Sequence, residues 1–423
     1  MEMILIGVFA LGYGLIIMEH KVKLSRSAVA LLTGILCWAL LMMTGDIKTV
    51  KSNLEISISE SSQIIFFLMG AMAIVELIDL HGGFSIVTSR IKQTNKIKLL
   101  WIITFITFFL SSILDNLTTT IALIMLLRKM INDKYERALF GGMVVIAANA
   151  GGAWTVIGDV TTTMLWIGGD ISALNVMKNL FLPSILSVII PAFIVSKKLK
   201  NSEDEIIKSE IQESETRSKN KVIVFTVGII SIMFVPVFKT ITNLPPFMGI
   251  FFALAIMWII TEIMHRNDEK IEKEHLSVTQ AIKESDISSI LFFMGILLAI
   301  SALGSAGILE KTALLLDETF KDRRIIAVII GAVSSVIGNV SLVAASIKMY
   351  SLELIPLDSE FWNLLAFSTG TGGSIFVIGS AAGIALMGLE KITFNWYFKN
   401  ISFLAFIGFI TGILCYFIQN LIF

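Results

Sequence analysis

The chain has 423 residues, 55% hydrophobic and only 16% charged, and its 33 basic side chains balance 33 acidic ones. A soluble domain carries about a quarter charged residues, so an ordinary soluble globule is excluded. Zero net charge gives no reason to expect nucleic acid or a polyanionic partner.

Several apolar stretches approach the ~20 residues that cross a bilayer, and they predict an all-α polytopic membrane protein. Spans are expected over 2–18, 27–44, 62–80, 176–196, 221–238, 246–264, 288–303 and 396–419. The first lacks a basic n-region and an obvious small-residue cleavage site, so it reads as a retained span and not a signal peptide. Basic residues favour the cytoplasmic side. Lys21, Lys23 and Arg26 put the first loop inside, and Arg90, Lys92, Lys96 and Lys98 put the loop after the third span there too.

The next apolar block, 99–127, ends in Arg128, Lys129, Lys134 and Arg137, so both of its ends carry the inside signature. Its centre reads SSILDNLTTT (111–120). Each arm is about 15 residues, or roughly 22 Å at 1.5 Å per residue, short of the ~30 Å hydrocarbon core. A re-entrant hairpin with its tip at Asp115–Asn116 fits both facts, and two tightly packed full spans are the alternative. Residues 138–168 then contain AANAGGAWTVIGDV, with Gly151, Gly152 and Gly158. Glycine costs a helix interior about 1 kcal/mol relative to alanine, so the cluster predicts a broken helix. Unwound backbone survives at membrane depth only where protein or a water-filled cavity satisfies it. Gly-x-x-x-Gly packing is the other reading, but it leaves Asn149, Asp159 and Thr161–Thr163 unexplained.

A charged stretch divides the chain into a first transmembrane repeat (1–197), a cytoplasmic linker (198–220) and a second transmembrane repeat (221–423). The halves match three times in order. FFLMGAMAI (66–74) pairs with FFMGILLAI (292–300), SSILDNLTTTIAL (111–123) with SSVIGNVSLVAA (334–345), and AGGAWTVIGDVTTT (150–163) with TGGSIFVIGSAAG (371–383). The offsets are 226, 223 and 221 residues. Lys197, Lys198 and Lys200 return the chain to the inside, so the second copy starts inside and the first outside. The expected fold is therefore two inverted-topology repeats, each with a re-entrant hairpin and a broken helix. Arg323 and Arg324 fall outside in this scheme, which counts against it.

Ionisable groups within spans are functional candidates. Asp115 and Asp159 stand among Asn116, Thr118, Thr119, Thr120, Asn149, Thr161, Thr162 and Thr163. Carboxylate, amide and hydroxyl oxygens with carbonyls freed by a helix break are the hard-oxygen set that binds small alkali cations. A carboxylate away from water holds either a proton or a cation, and the two compete. For Asp159, helix N-capping is a rival role. The second copy keeps Asn339, Ser341, Thr371 and Ser374, but Gly338 and Ser380 stand where Asp115 and Asp159 stand. Glu76 and Asp79 could relay protons or simply lie at the cytoplasmic edge beside His81. Glu60 aligns with Asp286 and is, with Glu76, a candidate proton relay; helix capping is the plain reading of both Glu60 and Asp286. His20, His265 and His275 read as loop residues without metal-ligand spacing, and Cys37 and Cys415 as small core residues. No phosphate loop, nucleophile elbow or metalloprotease motif is found. The expectation is a transporter and not an enzyme, with no cofactor beyond the ions it carries.

SSILDNLTTTIALIMLLRK, AANAGGAWTVIGDVTTTMLWIGG, FFLMGAMAIVELIDLHGGF and GTGGSIFVIGSAAGIALMG resemble the NhaD-type sodium/proton antiporters of the ion transporter superfamily. The resemblance covers most of the chain except the linker. It implies electrogenic exchange of Na+ or Li+ for protons by alternating access, in a bacterial cytoplasmic (inner) membrane. It also implies functional roles for Asp115, Asn116, Asn149, Asp159, Thr161 and Thr162, and in the second half for Ser334, Asn339 and Ser374. Glu60 matches an acid that the family places before its third-span motif. The family pattern DNVPLVAA reads GNVSLVAA here, which leaves the stoichiometry open, and Asn53 stands where some relatives carry a histidine. Na+ or Li+, protons and the bilayer are the expected partners, with a homodimer kept as an option. The rival is a Na+-coupled symporter of dicarboxylates or oxyanions in the same superfamily.

Overall fold

The structure is a computed structural model that describes residues 2–88, 95–199, 215–266 and 274–422. Residues 200–214 of the charged linker, together with Arg90 and Lys92, lie outside the described residues. Among the described residues every regular element is helical, and seven helices are long and apolar enough to cross a membrane. The protein is a multi-pass membrane protein.

Six helices form a frame: Glu2–Ile17, Arg26–Thr44, Ile47–Leu80, Glu215–Thr242, Pro246–Met264 and Ile287–Ser305. Arg26–Thr44 packs along Ile287–Ser305, and Pro246–Met264 packs along Ile47–Leu80. Ile47–Leu80 runs 34 residues, about 51 Å, and begins well before the span expected at 62. The Asp46 carboxylate caps it by accepting from the Thr49 N–H at 2.9 Å. The polar turns that follow carry no apolar run, so hydropathy alone misses them.

Inside the frame lies a body built from the apolar block and its counterpart. Lys96–Ser111 and Asn116–Met130 form one hairpin, and Arg323–Ile337 and Asn339–Met349 the other. Their arms are 16, 15, 15 and 11 residues, or about 24 Å at most, too short to span. Each hairpin packs against a broken helix: Lys134–Ala153 with Val160–Gly168, and Glu360–Gly372 with Ala381–Glu390. Glycine permits the close approach. A Cβ on Gly151 would stand 2.2 Å from the Phe108 carbonyl oxygen, and one on Gly372 would stand 2.3 Å from that of Gly331. Residues 151 and 372 differ by 221 and residues 108 and 331 by 223, the offsets found in the sequence. Ala173–Lys198 and the terminal Phe403–Ile422 back this body. The last span, expected over 396–419, is interrupted by a π turn at Phe398–Ser402.

Candidate cation site

The first hairpin reverses because Asp115 caps its second arm. The carboxylate accepts from the Thr118 N–H at 2.7 Å and from Thr118 Oγ1 at 2.8 Å. The capping role weighed for Asp159 is thus taken by Asp115. Asp159 occupies the N-cap position of Val160–Gly168 but makes no side-chain cap hydrogen bond. Its carboxylate, 2% exposed, accepts instead from Thr161 Oγ1 at 2.8 Å and from Asn116 Nδ2 at 3.4 Å.

Asn116 Nδ2 also donates to Asn149 Oδ1 at 2.9 Å. Asn149 Nδ2 in turn donates to Ser374 Oγ at 2.8 Å and Ser380 Oγ at 2.9 Å. The two helix breaks, more than 200 residues apart in the chain, are therefore joined through one buried amide. Thr162 Oγ1 donates to the Asp159 carbonyl at 2.9 Å and Thr163 Oγ1 to that of Val156 at 2.8 Å, which satisfies part of the unwound backbone.

The structure thus brings together Asn116, Asn149, Asp159, Thr161 and Ser374. Ser380 belongs with them although sequence reasoning passed over it, because its standing in for an acid read as a loss. Thr119 and Thr120 are buried with hydroxyls that have no hydrogen-bond partner among the described residues. Ser334 Oγ and Thr371 Oγ1 bond back to carbonyls of their own helices, Gly331 at 2.7 Å and Phe367 at 2.6 Å. Glu60 and Glu76 lie apart from the cluster. Glu60 is exposed and ion-paired with Lys348. Glu76 sits half-buried near the far end of the same helix, beside Asp79 and within electrostatic reach of Glu284. Asp286 caps its helix through the Ser289 N–H at 3.1 Å. His265, expected as a solitary loop residue, meets His81 with their Nε2 atoms 3.0 Å apart.

A cleft runs between frame and body down to Asn116 and Asp159. Its walls are Phe292 and Phe293 of the frame and the second hairpin tip at Gly338–Ser341. Gly338 has φ +100°, and a Cβ added there would meet no atom within 4 Å. Glu19 and Arg26 hold the mouth, which widens toward Lys23 and Ser288. The charged lining residues are Glu19, Arg26 and Asp159, with Arg26 at the mouth; the floor carboxylate takes its side-chain hydrogen bonds from the neutral Asn116 and Thr161. One buried acid, two amides and several hydroxyls can hold a small hard cation or a proton.

A family model described as "Citrate transporter" matches residues 13–357. Sodium/proton antiporter 2 of Arabidopsis thaliana is 46% identical over 410 residues, covering 96% of this chain and 97% of the relative. Na(+)/H(+) antiporter NhaD of Vibrio cholerae is 29% identical over 444 residues, covering 98% and 91%. Among solved structures, the Alcanivorax borkumensis YdaH transporter superposes with a TM-score of 0.58 at 11% identity, over 92% of this chain and 96% of that one. That likeness concerns the fold alone.

Proposed function

From the premise that the chain belongs to the citrate transporter family, we propose that it exchanges Na+ (or Li+) for H+ across a membrane by alternating access. The observation that carries this reading is Asp159, a buried carboxylate at the floor of an open cleft whose side-chain hydrogen bonds come from the neutral Asn116 and Thr161. Water-depleted surroundings let such a group take a proton or a metal ion in competition. Relatives named as sodium/proton antiporters at 46% and 29% identity support the same substrate pair. Asn116, Asn149 and Thr161 supply neutral oxygens, and Asp115 adds negative charge one residue from Asn116. We place the protein in a bacterial cytoplasmic membrane, the setting expected from the sequence; its relatives include plant proteins as well.

Inverted repeats complete the proposal, and the polar ties between halves support them. The basic-residue scheme puts residues 26, 81, 128 and 137 inside, and an inverted second copy puts 265, 288 and 390 inside with them. Ser27 Oγ donates to the Ser288 carbonyl at 2.7 Å, His81 meets His265, and Arg128 and Arg137 both pair with Glu390. On the other side Glu60 meets Lys348, and Ser172 Oγ donates to Asp358 at 2.7 Å. With a parallel second copy each of these ties would have to cross the bilayer. Arg323 and Arg324, which argued against the scheme, are paired with Asp317, Asp322 and Glu360 and so contribute little free positive charge.

Proton flux in everted vesicles, driven in turn by Na+, Li+ and K+, tests the function. Asp159→Asn should abolish the Na+ response. Asp115→Asn keeps a good cap but loses a charge, and should raise the Na+ KM about tenfold. Wild-type exchange in Asp159→Asn would overturn the assignment. The second reading, Na+-coupled uptake of a carboxylate, draws on the description of the family model. Na+-dependent accumulation of radiolabelled citrate without proton countertransport would favour it.

A further inference from the structure

At the end of the bundle away from the cleft mouth, polar contacts among the described residues join frame to body. Lys348, in the last turn of Asn339–Met349, is ion-paired with Glu60 of the 34-residue frame helix. Lys239, in the last turn of Glu215–Thr242, donates to the Trp166 carbonyl at 2.9 Å and stands 4.7 Å from the Trp166 ring centroid. The mouth is tied differently. There Arg26 and Ser27 reach Ser289 and Ser288, frame to frame, while Arg128 and Arg137 reach Glu390, body to body.

We propose that Glu60 and Lys348 form an outer latch, a positioning pair that keeps the far side shut while the site is open toward Arg26. The inference rests on the alternating-access reading above. For the site to face the other way, frame and body must separate at this end, so a contact that bridges them must part in every cycle. The Glu60 side chain is 49% exposed and that of Lys348 33%. Half-solvated pairs of this kind bias an equilibrium by no more than about fivefold. That is enough to favour one state and too little to trap it; a fully buried pair would stall the cycle.

The repeat points to the latch of the opposite state. Glu60 and Asp286 differ by 226, the offset of the flanking motifs. Position 348 corresponds by the hairpin offset of 223 to 125, and Arg128 lies one helical turn beyond it on the same face. In this conformation Asp286 is occupied with Ser289 and Arg128 with Glu390. When the mouth closes, Asp286 meets the outer face of the Arg128 guanidinium as the counterpart of Glu60 and Lys348, while Arg128 and Arg137 both stay on the buried Glu390.

The test uses the full chain with Cys37→Ala and Cys415→Ala. Na+-driven proton flux in this parent examines the transport reading by itself, separately from the latch. Glu60→Cys with Lys348→Cys should then be bridged by a short bis-methanethiosulfonate crosslinker, whose span matches two long side chains meeting end to end, with flux falling more than tenfold and returning on reduction. Recovery on reduction distinguishes a locked carrier from a misfolded one. No crosslink, or undiminished flux in the crosslinked protein, would overturn the latch. Glu60→Lys and Lys348→Glu should each change the Na+ KM measured from one side by about fivefold, and the double swap should restore it. A double swap no better than the single changes would also overturn the proposal.

Discussion

Glu390→Gln is expected to destabilise the protein by about 3 kcal/mol. Glu390 ends the second broken helix, its side chain is fully buried, and its two carboxylate oxygens are divided between two arginines. Oε1 accepts from Arg128 Nε at 2.9 Å and Oε2 from Arg137 Nε at 2.8 Å. Arg128 ends the first hairpin and Arg137 begins the first broken helix, so one acid pins three elements. Glutamine keeps the shape but leaves two guanidinium groups facing each other without a counter-charge. Breaking a buried ion pair costs about 3–5 kcal/mol. The side chains of Arg128 and Arg137 are 38% and 16% exposed, so water compensates part of the loss and the lower end applies. Thermal and denaturant unfolding of purified protein in detergent would measure it. In the Glu390→Gln background, Arg128→Met should cost less than in wild type, with a coupling above about 1 kcal/mol. A Glu390→Gln protein within about 1 kcal/mol of wild type would refute the reasoning.

Gly151→Ala and Gly372→Ala should each cost about 1–3 kcal/mol, because each Cβ meets a carbonyl oxygen of the neighbouring hairpin at 2.2–2.3 Å; an unperturbed unfolding midpoint in either would contradict the close packing. Burial pushes Asp170, in the loop after Val160–Gly168, up to about 7 from 3.8. The folded state then binds the extra proton between these values, so stability falls as pH rises from about 4 to 7, by at most about 1.4 kcal/mol per pH unit. Asp170→Asn should flatten that slope, and an unchanged pH dependence of Tm would exclude the effect. Burial holds His81 below its usual range. Its Nδ1 lies 2.7 Å from the Leu77 carbonyl, so Nε2 carries the lone pair that faces His265. Stability from that contact is present above about pH 6.5 and lost as pH falls, and the loss should vanish in His81→Gln.

Helix positions were legible because apolar runs announce themselves, and the hairpin because its arms are too short and flanked by basic residues. The start of the long helix at Ile47 was not, since Ile47, Val50, Leu54 and Ile58 keep a helical spacing but stand among polar residues and form no apolar run that hydropathy would register. The roles of the two acids could not be told apart locally. DNLT (115–118) and DVTT (159–162) both place a threonine three residues after the aspartate, the pattern of a cap. Tertiary position decides: Asn116 and Thr161 take up the Asp159 carboxylate, while Asp115 stays with its own helix. The Arg128–Glu390–Arg137 cluster likewise depends on residues about 260 apart, which no local pattern connects.

The central claim, that one carboxylate exchanges a proton for Na+, is tested most directly by adding Na+ to purified protein in weakly buffered solution and recording pH. The account predicts proton release from wild type that saturates with Na+ and is absent in Asp159→Asn. Sodium binding without proton release, or equal release from Asp159→Asn, would contradict it.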